Sequence, residues 1–331
     1  MQEDIPAIPD VPAGLSDAAR RGKLIPFIGA GVSKIAGCPN WSELAEQSLR
    51  YFIERDHFSH NQLDQIKNLH PRVKLSMALG LAEQHRTPID FETLIQAPNW
   101  RNHAEGQKVY SELSRLGQTF ITTNYDQWLD KEIVFPALSE EEPPGSIPNP
   151  VFNDRQVFYL RKDLTVDNLN KPNSVFHIHG SLQLPEEMIL TTHDYITQYA
   201  NDRSSDAAEE NRLLTFLTHL FTHKTVLFVG YGLEDLEILE YVITKARTSR
   251  ANKSEARHYM LQGYFSHEKQ LMQSLKQYYL RECGIELIPF SRDQRDWKQL
   301  IPVLEKFARN APASAPLRVQ KMVEMEAMLN E

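Results

Sequence analysis

Short apolar runs punctuate this chain, and three of them are followed at once by glycine or histidine. The runs are Leu24-Ile-Pro-Phe-Ile28, Thr119-Phe-Ile-Thr122, Ser174-Val-Phe-His-Ile178, Met188-Ile-Leu-Thr191, Thr225-Val-Leu-Phe-Val229, His258-Tyr-Met-Leu261 and Ile285-Glu-Leu-Ile288. Unbroken runs of this length suit strands buried on both faces, as in a parallel sheet. Pro26 donates no ladder hydrogen bond, so the first run is expected at a sheet edge, or with the proline near the strand's start. Between Trp41 and Gly117 the period changes. Leu44, Leu49, Phe52 and Ile53 form one helical stripe, and Leu75, Leu79, Leu81 and Ile95 extend it. The pattern predicts an α/β fold: a Rossmann-like parallel sheet flanked by helices, with a helical insertion after the first strand.

The punctuation also predicts boundaries. Pro6, Pro9, Pro12 and Gly14 make residues 1–14 an extended arm, followed by a short helix from Leu15 to Lys23 that Ser16 or Asp17 can cap. Residues 15–310 then form one domain, with residues 41–117 as the helical insertion. Ser139-Glu-Glu-Glu-Pro-Pro-Gly-Ser146 and Asn201-Asp-Arg-Ser-Ser-Asp206 read as loops. Residues 311–331 read as a linker and a C-terminal helix whose stripe is Val319, Met322, Met325 and Leu329. Such a stripe packs back on its own domain or onto another chain. The latter is adopted here, giving a homo-oligomer.

Composition narrows the function. A formal net charge of −8 disfavours a groove for duplex DNA, which clustered Lys and Arg would line. No run approaches the roughly 18 apolar residues of a membrane span, and the start lacks a secretory apolar region. The only two cysteines, Cys38 and Cys283, suit a reducing compartment, so a cytoplasmic location is expected.

Four motifs follow apolar runs, so each is expected at a strand's C-terminal end, the edge where open α/β sheets bind ligands. Gly29-Ala30-Gly31 lets the backbone approach a pyrophosphate, and Ser33 can add a hydroxyl donor. Lys34 stands where the dehydrogenase fingerprint needs a third glycine. Thr122-Thr-Asn-Tyr-Asp126 supplies Asn124, an amide able to hold a ribose hydroxyl and a water together, and Asp126, an acceptor. His177-Ile-His-Gly-Ser181 places His179 beside glycine, with His177 expected on the same strand face as a hydrogen-bonded structural histidine. Val229-Gly-Tyr-Gly-Leu-Glu-Asp235 brings Gly230, Tyr231 and Gly232, and Asp235 as a helix cap. His219 and His223 lie four apart, but no Glu follows His219, so the metalloprotease pattern fails.

In order and content, these motifs resemble the sirtuin family, most nearly the bacterial sirtuin-like NAD+ hydrolases of antiphage defence. Thr122–Asp126 is similar to the sirtuin Thr-Gln-Asn-Ile-Asp, and Gly37-Cys-Pro-Asn-Trp41 to the G-x-P-x-W segment of the hydrolases. The resemblance spans residue 24 to about 290, and residues 1–20 and 311–331 have no counterpart in it. It implies that His179 is the catalytic base and that Asn124 orients ribose and water. Asp126 would accept from the nicotinamide carboxamide, while Gly29, Ala30, Gly31, Ser33, Gly230, Tyr231 and Gly232 would hold the dinucleotide. Deacetylating sirtuins also carry a zinc held by four cysteines, which two cysteines cannot build. The resemblance therefore implies NAD+ as substrate without a metal, and hydrolysis rather than acyl-lysine chemistry. It further implies a regulatory partner, an ATPase or a nucleotide-processing enzyme. A noncatalytic NAD+ or ADP-ribose sensor, and a zinc-free deacylase or ADP-ribosyltransferase, remain as alternatives.

Overall fold

The computed structural model describes residues 4–136, 148–199, 211–232, 243 and 258–313. Seven strands pair into one parallel sheet. They are β1 (Leu24–Ile28), β2 (Thr119–Thr122), β5 (Gln156–Phe158), β6 (Ser174–His177), β7 (Thr225–Val229), β8 (His258–Tyr264) and β9 (Ile285–Ser291). Across the sheet the order is β5-β6-β2-β1-β7-β8-β9, while β3 (Lys131–Val134) and β4 (Val151–Asp154) pair antiparallel to one side. From β1 the chain winds outward through β2 to β5 at the edge, steps back to β6, then crosses to β7 on the other side of β1. That reversal makes the seam between β1 and β7 the topological switch point of a doubly wound fold.

Successive side chains of each strand enter opposite cores. Leu24 and Ile28 join Leu227, Val229, Leu261 and Ile288 on one face, under the helices α1 (Ala13–Arg20), α2 (Ala30–Ile35) and α7 (Ala104–Leu116). Ile25 and Phe27 join Val226, Phe228 and Met260 on the other, under α10 (Arg212–His223). Both faces are thus apolar, which is why the runs carry no polar alternation. Cys38 is buried on the first face and Cys283 on the second.

Three expectations need correction. Pro26 lies in the central strand, not at an edge. Pairing with β7 runs the whole strand, but pairing with β2 begins only at Phe27, opposite Ile121. The proline ring lies against Gly117, where an added Cβ would sit 2.8 Å from the Cδ bonded to the proline nitrogen. The missing donor therefore faces a connection rather than a ladder partner. Second, Met188–Thr191 is an extended loop, not a strand. Met188 and Leu190 are apolar because they pack on Leu44, Leu75 and Phe91 of the helical insertion. Third, α1 begins at Ala13 after Pro12, without a side-chain cap, and Asp17 instead pairs with Arg20 and Arg21.

Between β1 and β2 the chain is helical, as the spacing predicts. The helices are α3 (Trp41–Ile53), α4 (His60–Gln65), α5 (Pro71–His85) and α6 (Phe91–Ile95), then α7. Reciprocal capping boxes, Asn40 with Glu43 and Ser59 with Gln62, start α3 and α4. Two small cores hold this unit together, one containing Leu44, Leu75 and Ile95, the other Leu49 and Phe52. Residues of the N-terminal arm lie along the edge strand β9. Pro6 accepts from the Ser291 amide at 2.8 Å, and Ala7 from the Gln299 side chain at 2.9 Å. The arm covers an edge that would otherwise present unpaired backbone. The linker beyond Ala313, the stripe Val319, Met322, Met325 and Leu329, and Asp235 lie outside the described residues.

Candidate functional site

At the seam, the turn after β1 and the turn after β7 are pressed backbone to backbone. The Gly29 amide donates to Val229 O at 2.9 Å, and the Gly31 amide to Gly230 O at 2.8 Å. A Cβ on Gly31 would meet Gly230 O at 2.8 Å, and one on Gly230 would meet the Val32 nitrogen at 2.6 Å. Gly230 also has φ +69°, a left-handed conformation that a side chain would strain. These glycines are required by the contact between the two turns. Tyr231 is committed to the core as well: its ring packs on Phe27 and Phe228, and its hydroxyl donates to Thr123 at 3.1 Å. Gly232 is exposed beyond it.

Beside the seam lies a small cavity of about 30 Å³, partly open to solvent. Its apolar wall includes Trp41, Leu44 and Ile95, and its polar wall Ser33, Asn124 and Asp126. The polar three form one network, although the helical insertion and β2 separate Ser33 from the other two in sequence. Ser33 donates to Asp126 Oδ2 at 2.6 Å and accepts from Asn124 Nδ2 at 2.7 Å, with the Tyr110 hydroxyl 3.1 Å away. Asn124 Nδ2 also donates to Gly29 O at 3.0 Å, and the Asn124 amide donates to Thr122 Oγ1 at 2.9 Å. Burial raises the Asp126 carboxyl above its usual range, against the Ser33 and Trp128 hydrogen bonds and the nearby His177 that lower it. Burial, reinforced by Asp126, likewise pushes the Cys38 thiol up, so this cavity-lining cysteine is a neutral thiol rather than a thiolate nucleophile.

His177 is the hydrogen-bonded structural residue expected of it. Its Nδ1 lies 2.7 Å from Asn124 O and its Nε2 2.8 Å from Asp130 Oδ1. A carbonyl and a carboxylate both only accept, so both ring nitrogens donate and the ring is an imidazolium. Burial opposes that charge, but Asp130, the Asn124 carbonyl and Asp126 outweigh it and raise the His177 pKa.

His179 does not share that environment, and the expectation of a common strand face fails. β6 ends at His177, and a turn in which the Gly180 amide donates to His177 O sends His179 elsewhere. Its Nε2 lies 2.8 Å from the hydroxyl of Tyr199, at the end of α9 (Thr192–Tyr199), while its buried Nδ1 has no hydrogen-bond partner among the described residues. The ring packs edge-on against Tyr195 and Tyr199, and Arg72 stacks over Tyr195. Burial, helped by Arg72, lowers the His179 pKa to about 3, so the ring is neutral at cell pH.

Of the residues expected at the site, Asn124, Asp126, Ser33 and Ala30 line the cavity together. His179, Gly29, Gly31, Gly230, Tyr231 and Gly232 are not among its lining residues. Thr122, Tyr110, Asp130 and Tyr199 were missed by sequence reasoning. Thr122 was inside a recognised motif, but Tyr110 sits mid-helix, with nothing local to mark it.

The doubly wound sheet, with a polar cavity beside its switch point, defines an α/β protein whose ligand site is expected at that edge. Residues 118–288 match the SIR2-like domain, and the chain belongs to that family. The match includes the Asn124, His179 and Gly230 turns, while the Gly29 turn precedes it. Among curated proteins, the chain is 25% identical over 236 residues to the NAD(+) hydrolase ThsA of Bacillus cereus, covering 71% of this chain and 42% of that protein. It is 27% identical over 240 residues to the NAD(+) hydrolase ThsA of Acinetobacter baumannii, covering 71% and 41%. To Defense-associated sirtuin 2 of Bacillus subtilis it is 24% identical over 237 residues, covering 68% and 19%. The chain spans less than half the length of these relatives.

Proposed function

We propose that this protein cleaves the nicotinamide–ribose bond of NAD+ with water as acceptor, releasing nicotinamide and ADP-ribose, as an NAD+-depleting effector of antiphage defence. The observation that carries the reading is Asn124, held at its main-chain nitrogen and oxygen and twice at its side-chain nitrogen, on the wall of a cavity at the switch point. The relatives' names agree with it.

Nicotinamide leaves as a neutral base when the bond's electron pair returns to its cationic ring. The ribose carbon passes through an oxocarbenium-like state and is captured by water, which must lose one proton. Asn124, both of whose Nδ2 hydrogens go to Gly29 O and Ser33, orients ribose and water through its Oδ1 acceptor. Asp126 meets the carboxamide, and Ser33, Ala30 and the glycine turns border the rest of the dinucleotide. His179 takes the proton. With its pKa near 3 the ring is a weak base. Burial is the first cause of that value, so release from Tyr199 and entry of water would return the ring towards about 6.5, the range suited to general base catalysis. The same proposal includes a cytoplasmic location, self-association and a regulatory partner, an ATPase or a nucleotide-processing enzyme.

The second reading is a noncatalytic NAD+ or ADP-ribose sensor, and the burial of His179 beneath Tyr199 is the observation that favours it. Incubation of the purified chain with NAD+, followed by chromatography, separates the two. Nicotinamide and ADP-ribose in equal amounts support hydrolysis, whereas saturable NAD+ binding without nicotinamide release supports the sensor.

A further inference from the structure

The turn after β2 carries a buried charged chain that the reaction proposed above does not use. Gln183 Nε2 donates to Asp130 Oδ2 at 2.9 Å, and Asp130 Oδ1 accepts a hydrogen bond from His177 Nε2 at 2.8 Å. His177 Nδ1 then donates to the carbonyl of Asn124 at 2.7 Å. His177 is 1% exposed and Asp130 4%. Taking two charges out of water costs several kcal/mol per ion unless their remaining hydrogen-bonding groups are satisfied. Here the chain satisfies them and ends on the residue that lines the cavity.

We infer that Asp130, acting through His177, is a positioning residue for the reaction at Asn124: the Gln183–Asp130–His177 chain clamps the Asn124 main chain and so fixes where its side chain stands on the cavity wall. The inference rests on the hydrolase reading. Two acceptors lie on opposite sides of the ring, and only an imidazolium presents them with two donors on a rigid frame. Thr122 pins the Asn124 nitrogen from the β1 side, because its hydroxyl donates to Ile28 O at 2.8 Å. His177 pins the oxygen from the β6 side. The Asn124 peptide is thus fixed by both neighbouring strands. A neutral imidazole has a single N–H, so loss of the charge releases one end of the clamp. The charged or titratable groups acting on this chain are Asp126 at the cavity wall and Arg155, whose backbone amide donates to Asp130 O at 3.0 Å.

Asp130→Asn tests the clamp, since it keeps an acceptor for His177 and removes the charge. With the thermal midpoint near the parent's, kcat for nicotinamide release is expected to fall on the order of 10- to 100-fold, the scale of a small misplacement at a reacting centre. KM should stay within about threefold, because the cavity wall is intact. The alkaline limb of the kcat profile should move to lower pH, because the imidazolium loses its stabilising carboxylate. An unchanged kcat and unchanged limb in a folded variant would make the pair a brace and overturn the inference. So would a loss carried wholly by KM. If Asp130→Asn does not fold, Gln183→Met removes only the outer link, and a kcat loss of about threefold at constant KM is expected; no loss overturns the clamp. Nitrogen-15 spectra of the histidines separate this from failure of the hydrolase reading. A parent without turnover but with a doubly protonated His177 at pH 8, lost in Asp130→Asn, sinks hydrolysis and leaves the clamp. A singly protonated His177 in the parent sinks the clamp whatever the turnover.

Discussion

His177 and His179 stand one residue apart at the end of β6, in regions with opposite electrostatic demands. Around His177 every partner is an acceptor, and the ring carries two protons and a charge. Around His179 the neighbours are tyrosine rings, a hydroxyl and the Arg72 charge, and the ring is neutral with one nitrogen unpartnered among the described residues. The first region fixes Asn124. The second holds an imidazole away from the cavity, behind a helix end. A His-x-His pattern at a strand end is therefore not one unit: a single turn divides a ring bonded at both nitrogens from a neutral ring packed among tyrosines.

Stability is the largest expected way to sharpen the comparison. His177→Ala leaves the Asp130 carboxylate buried without its charged partner, so a loss of about 3–5 kcal/mol is expected in denaturant unfolding. His179→Ala removes one hydrogen bond and an already unpartnered nitrogen, and should cost about 1–2 kcal/mol. Equal costs would break the contrast. Next comes access. Tyr199→Phe deletes the hydroxyl on His179 while keeping the ring, and is expected to raise nicotinamide release about tenfold, equivalent to about 1.4 kcal/mol. A drop in release would mean that Tyr199 assists the reaction rather than covering its base.

The smallest effects are pH linkages of opposite sign. The His179 pKa is lowered on folding, so the stability its neutral ring contributes is complete above about 6.5 and is lost as pH falls towards about 3. Between pH 7.5 and 5.5 that loss should amount to about 1 kcal/mol, and His179→Ala should remove it. The His177 pKa is raised, so its contribution is complete below about 6.5 and is lost as pH rises through the raised value. Unfolding midpoints of the two alanine variants across pH 5 to 9 check both signs.

The sheet was legible in the sequence because strands buried on both faces leave unbroken apolar runs; β1, β2 and β7 match their runs residue for residue. The same rule misread Met188–Thr191, where the apolar partner is a helical insertion rather than a second sheet face. Pro26 misled because local sequence does not record that β2 begins pairing one residue later. At the site, Asn124 and Asp126 were legible as polar residues closing an apolar strand. Their dependence on Ser33 was not, since Ser33 precedes Asp126 by 93 residues, and Tyr110 reaches Ser33 across 77. The glycines were read as an approach for phosphate. The contact between the two turns adds a packing requirement at Gly29, Gly31 and Gly230 that the sequence did not announce. The Tyr199 cover on His179 had no local signal, because helical spacing does not reveal which turn a helix end meets.

Nicotinamide release by the parent chain, Asn124→Ala and His179→Ala, each with its unfolding midpoint, tests the central claim most directly. Release by the parent is expected, with a loss on the order of 10²–10⁴-fold in folded His179→Ala, the usual worth of a positioned acid–base group. Folded Asn124→Ala should lose on the order of 10²-fold or more, from lost positioning. Full release by a folded His179→Ala, or NAD+ binding by the parent with no release, would contradict the claim.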